Sequence, residues 1–132
     1  MATGIGTLDK RPVEEVAVRG VQPAILPDPA NAGTINAKST AYCELTSGED
    51  GWGTAGTRTL ADPTFKGQIL DLVFVTDGNA DITITASSPI NQAGNTSAVT
   101  ADVGDHLRLM GHSNPTDGLE WRVIANDGWT LS

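Results

Sequence analysis

From Tyr42 onward a glycine, an Asp-Gly pair or a proline interrupts the chain roughly every 8–12 residues, and the runs between these breaks are β-like. No window sustains the 3.6-residue apolar period of an amphipathic helix. The 15 glycines and 7 prolines would in any case break a long one. Residues 57–60 and 68–75 read as strands; the second, with the run ILDLVFV, has apolar residues on both faces and predicts a strand covered on two sides. Thr76, Asp77, Gly78 and Asn79 form a turn signal. In DITITAS, which follows, Ile82 and Ile84 are expected inward, with Thr83 and Thr85 outward. A polar loop at 87–96 leads to short strands at 99–103, 106–110 and 119–125, and then to a turn at Asn126, Asp127 and Gly128. The expected fold class is all-β, a β-sandwich or jelly-roll-like barrel.

The first forty residues follow a different rule. Pro12, Pro23, Pro27 and Pro29 fall here, with Gly4, Gly6, Gly20 and Gly33 among them. Proline lacks an amide donor and keeps its neighbour out of the helical region, so an extended arm is expected over 1–40, ahead of a β domain at 41–132. Val16 and Val18 allow one short strand at most. The arm has too few large side chains for a core of its own. Yet Val13, Val16, Val18, Val21, Ile25 and Leu26 are too many apolar groups for a solvated tail. They are expected to dock on another surface, as an added strand or in a groove. On this reading residues 1–36 can be removed and a folded β domain remains.

Charge removes several functions. Eight basic residues against sixteen acidic ones leave a formal charge of -8, the wrong sign for a nucleic-acid or anionic-membrane partner. No apolar run approaches the roughly 20 residues of a spanning helix. The start has no apolar stretch behind a basic one, so no secretory signal is expected. Cys43 is the only cysteine; a small buried thiol in a chain folded in a reducing cytoplasm is expected.

The residues that could carry chemistry gather in GDHLRLMGHSNPTDGLEW, residues 104–121, which holds both histidines. His106 shares a strand face with Arg108, opposite Leu107 and Leu109, and residues 111–118 read as a longish connection that contains His112. Neither histidine lies at a zinc-ligand spacing, so no metal and no cofactor is expected. Ser113 in GHSNP begins like a nucleophile elbow, but Pro115 stands where the second glycine belongs and no helix follows; no catalytic residue is assigned. DGNAD, residues 77–81, opens like a calcium loop but has Ile82 and Ser88 at the positions that require glycine and glutamate. Trp121, on an alternating strand, is expected in the core. Trp52 and Trp129, beside glycines, are the candidate interface aromatics.

Three motifs in the C-terminal two-thirds carry a resemblance. They are Leu-x-Asp-x-Thr-x-x-Gly-Gln at 60–68, Gly-Asp-x-Leu-x-Leu at 104–109 and Trp-x-Val-Ile-x-Asn-x-Gly at 121–128. Over 57–132 the chain resembles a β-structured module of tailed-bacteriophage virion proteins, above all the head decoration (cement) proteins. The resemblance implies a non-enzymatic role on the exterior of a capsid, after synthesis in the host cytoplasm. It also implies a homotrimer that locks neighbouring subunits of the major capsid protein. The rival expectation is a carbohydrate-binding or receptor-binding β module of a phage fibre or spike, using Trp52, Trp129 and Asp-rich loops.

Overall fold

The computed structural model describes residues 22–48, 56–91 and 94–132. Ten strands form two five-stranded sheets, and no helix occurs among the described residues. In chain order the strands are β1 (Ala24–Leu26), β2 (Gly33–Ile35), β3 (Ala41–Thr46), β4 (Gly56–Leu60) and β5 (Ile69–Thr76). Then come β6 (Ile82–Ala86), β7 (Ser97–Thr100), β8 (His106–Asn114), β9 (Gly118–Asp127) and β10 (Thr130–Leu131). The first sheet has the order β1-β3-β5-β8-β9 and the second β10-β7-β6-β4-β2. The all-β sandwich expected from the turn spacing is the architecture found.

The topology is a coil followed by a closure. From β1 to β6 the chain alternates between sheets, so β1, β3 and β5 pair in parallel in one sheet and β2, β4 and β6 in the other. Parallel neighbours need a crossover connection, and here a strand of the facing sheet supplies it. After β6 the direction reverses: β7 pairs antiparallel with β6, β8 with β5, β9 with β8 and β10 with β7. The Asp77-Gly78 turn therefore carries the chain across to the other sheet instead of folding β5 and β6 into a hairpin.

The core follows from side-chain alternation. Ala41, Cys43, Leu45, Leu70, Leu72, Phe74, Leu107, Leu109 and Trp121 point inward from the first sheet. Ile35, Leu60, Ile82, Ile84 and Ala98 meet them from the second, with Ile82 and Ile84 inward as expected. The indole Nε1 of Trp121 donates to the Ala61 carbonyl at 2.7 Å, which satisfies its one polar atom. On β5 only Leu70, Leu72 and Phe74 lie in the core. Ile69 and Val73, on its outer face, are half-buried, so the strand is covered fully on one side only.

Several expectations are corrected. The sandwich begins by residue 24, not 41, because β1 and β2 extend two sheets and Ile35 and Ala37 enter the core. The reason is a buried ion pair: Asp28, between β1 and β2, takes Arg58 Nε at 2.7 Å and Nη2 at 2.9 Å. The same carboxylate accepts the amides of Thr46 and Ala30, tying the first connection to β3 and β4. Val13, Val16, Val18 and Val21 lie outside the described residues. Ile25 and Leu26 do not belong to a free arm: Leu26 packs against the core, while Ile25, 72% exposed, stands on the outer edge strand.

Residues 111–118 are not a loop. β8 and β9 run on to leave only Pro115, Thr116 and Asp117 between them, closed by the Thr116 amide donating to Asn114 Oδ1 and by Gly118 at φ 79°. Gly111 does not break the strand; it lets another backbone approach. Its carbonyl accepts from the Gly67 amide and its amide donates to the Gln68 carbonyl, both at 2.7 Å. The strand expected at 99–103 is β7, ending at Thr100. There the Asp105 carboxylate accepts from the Thr100 hydroxyl and the amides of Ala101 and Asp102 and turns the chain.

Candidate functional site

The register of the first sheet aligns its outward residues in rows. One row crosses all five strands: Ile25, Tyr42, Asp71, Arg108 and Ala125. The next holds Glu44, Val73, His106 and Asp127. Small Ala125 beside long Arg108 leaves an open groove of about 380 Å³, lined by Asp71, His106, Arg108, Ala125, Asn126 and Asp127. Asp71 Oδ1 lies 2.8 Å from His106 Nε2 and 3.1 Å from Arg108 Nε. The two partners of Asp71 are about half exposed and Asp71 is sunk between them. Exposed pairs of this kind contribute only about 0–1 kcal/mol, so stability gives little reason for the cluster. Alongside, Tyr42 donates to Glu44 Oε2 at 2.9 Å, and that bond, with Glu44's charge, raises its phenol pKa.

A second cluster lies further along the same face. Glu120 is 1% exposed, and its Oε1 takes Arg122 Nη2 at 3.1 Å and Asn114 Nδ2 at 3.3 Å, with His112 Nε2 at 2.9 Å. Glu120 Oε2 and Arg122 Nη1 are buried with no protein partner. His106 and His112 are six strand positions apart, about 20 Å at ~3.3 Å per residue, so they serve different clusters.

The candidates from the sequence that fall among the described residues each have a definite place. His106 does project opposite Leu107 and Leu109; His112 sits on β8, not in a loop. Ser113 has the opposite strand parity to both histidines, so GHSN makes no nucleophile–base pair. Cys43 points into the core, where burial, then the charge of Asp28, pushes its thiol up to about 11. Among the described residues no three His, Cys, Asp or Glu side chains come together as a metal ion would need. Asp77 accepts the amides of Asn79 and Ala80 through Oδ1, which is turn chemistry.

Trp129 corrects an expectation. It is 4% exposed and belongs to the core, so it offers no ring to a partner. The Asn126 side chain turns it inward by accepting from the Trp129 amide at 3.0 Å and donating to the Trp129 carbonyl at 2.8 Å. Trp52 lies outside the described residues.

Asp71, Arg108 and Asp127 were missed by sequence reasoning as a set. One signal was present: Asp71 is the only charge within ILDLVFV, and a lone carboxylate inside an apolar strand needs partners. The partners come from β8 and β9, and nothing local announces them. No family model and no curated protein matches the chain.

Proposed function

We propose that this protein is a non-enzymatic structural component of a tailed-phage virion. On this reading it decorates the capsid exterior as a homotrimer and locks neighbouring subunits of the major capsid protein. It is made in the host cytoplasm and uses no cofactor. The observation that carries the reading is what the three motifs do. Gln68 accepts from the Thr64 amide and donates to the carbonyls of Ala37 and Ser39. Asp105 closes the turn into β8, and Asn126 holds Trp129 inward. Gln68, Asp105 and Asn126 thus bond main chain of the same domain, as a family defined by a shared scaffold requires.

The way the chain enters the sandwich supports the docking role. β1 is a three-residue edge strand with Ile25 exposed, and the segment holding Val13, Val16, Val18 and Val21 joins it there. Apolar residues attached at an open sheet edge suit strand addition to a neighbour or a groove on the capsid. Co-sedimentation with undecorated heads tests this, using the full chain and a form lacking residues 1–21. The full chain should pellet with heads and the shortened one should bind at least about tenfold more weakly. Equal binding would move the docking surface onto the sandwich. No binding by either form would sink the decoration role itself.

A further inference from the structure

The groove on the first sheet lies near β8 and β9, at the opposite margin from β1. Five strands about 4.8 Å apart put nearly 20 Å between the margins, so a partner at β1 leaves the groove open. Its chemistry narrows what can fill it. The lining sets two carboxylates, Asp71 and Asp127, against one guanidinium, Arg108, and one imidazole, His106. Arg108 offsets one of the two carboxylates, so an anion would face both carboxylates with a single guanidinium to hold it and a cation would meet that guanidinium beside them. A neutral group whose donors and acceptors adjoin fits this mixture, and vicinal hydroxyls are such a group.

We propose that this groove binds a saccharide, one or two neutral hexose units held through adjacent hydroxyls. The hydrogen bond from His106 and the ion pair with Arg108 both fall on Asp71 Oδ1, and Oδ2 is placed to accept from one hydroxyl. Arg108 is held through Nε, so its two terminal nitrogens can donate to hydroxyl oxygens. Asp127 can accept from a further hydroxyl, and Ala125 is the one apolar side chain in the lining. The groove's volume lies at the lower end of small-ligand sites, roughly 300–1,000 Å³, and its openness suits weak, exchangeable binding. This site differs from one built on Trp52 and Trp129, and it does not rest on the capsid reading.

The two histidines make the test internal. His106 lines the groove and His112 does not, so their imidazole NMR signals report the site and a control in one sample. The full chain is titrated with the methyl glycosides of glucose, galactose, mannose and N-acetylglucosamine, and separately with inorganic phosphate and methylguanidinium. At least one glycoside should move His106 and leave His112 in place, with a Kd on the order of 1–10 mM. Arg108→Ala and Asp127→Ala, both at exposed outer-face positions, should each weaken that binding about tenfold or more while circular dichroism stays unchanged. The proposal fails if no glycoside moves His106 up to about 100 mM. It fails equally if phosphate or methylguanidinium moves His106 more strongly than every glycoside, or if both folded variants bind as the parent does.

Discussion

Arg58 is 1% exposed and fully charged, a placement that needs a carboxylate and filled donors. Asp28 provides the carboxylate, and the carbonyls of Thr57 and Thr46 accept from Nη1 and Nη2. For Asp28 burial alone would raise the pKa. The bonds from Arg58, Thr46 and Ala30, with the Arg58 charge, outweigh it and hold the carboxyl below its usual value of 3.8. A carboxyl lowered on folding adds stability that is present above the unfolded pKa and is lost as pH falls through the folded one. Asp105, lowered in the same sense by Thr100, Asp102 and Ala101 against its desolvation, adds to this acid sensitivity. Asp28→Asn should therefore cost about 3–5 kcal/mol at pH 7, because the guanidinium stays buried without that charge. The gap between variant and parent in urea should narrow below about pH 4, as the parent's own Asp28 protonates. A gap unchanged down to pH 2 would mean that Asp28 is not depressed.

Among the elements, the β8–β9 hairpin depends on Gly111. A Cβ at 111 would lie 2.6 Å from the Phe65 carbonyl oxygen and 2.9 Å from Pro63 Cβ, and a backbone atom cannot simply swing aside. Gly111→Ala should cost about 1–3 kcal/mol, with faster amide exchange at Gly67 and Gly111 as the β4–β5 connection lifts from β8. A melting temperature equal to the parent's would show that the connection can yield. Gly111 also marks how far elements could be read from sequence. Alternation gave the facing of Ile82, Ile84, Leu107, Leu109 and Trp121, because period two is a local signal. A glycine in a strand looks the same whether it breaks the strand or admits a neighbour, so residues 111–118 read as a loop in the sequence. β1 and β2 were hidden for a related reason: three residues each among prolines show no period, and their partners β3 and β4 lie further along the chain. The candidate site was half legible, since the face of His106 followed from alternation while its meeting with Asp71 depends on how β5 and β8 align.

At the scale of the molecule, the alternation of β1 to β6 between sheets makes the N-terminal strands part of both layers. Removing residues 1–36 takes away β1, β2, Asp28 and Ile35, exposes β3 and β4 as new edges and breaks the Asp28–Arg58 pair. A large core side chain is worth about 2–5 kcal/mol and a broken buried pair about 3–5 kcal/mol. Together these approach the roughly 5–15 kcal/mol by which a domain of this kind is stable. Removing residues 1–21 leaves every strand of the described residues and every one of these contacts in place. The form lacking 1–21 should keep a cooperative urea transition close to the parent's, and the form lacking 1–36 should be unfolded or nearly so at 25 °C. Light scattering on the same samples tests the trimer: the full chain at micromolar concentration should give about three times the mass of one chain. If the form lacking 1–21 is also three chains, the trimer contact lies on the sandwich and the first 21 residues are left for the capsid. If it falls to one chain, those residues hold the trimer together, and weaker capsid binding by the shortened form then reflects lost avidity as well as lost contact. A folded form lacking 1–36 would mean that the second layer closes without β2, and that the ion pair of Asp28 and Arg58 is an ornament of the fold and not its lock.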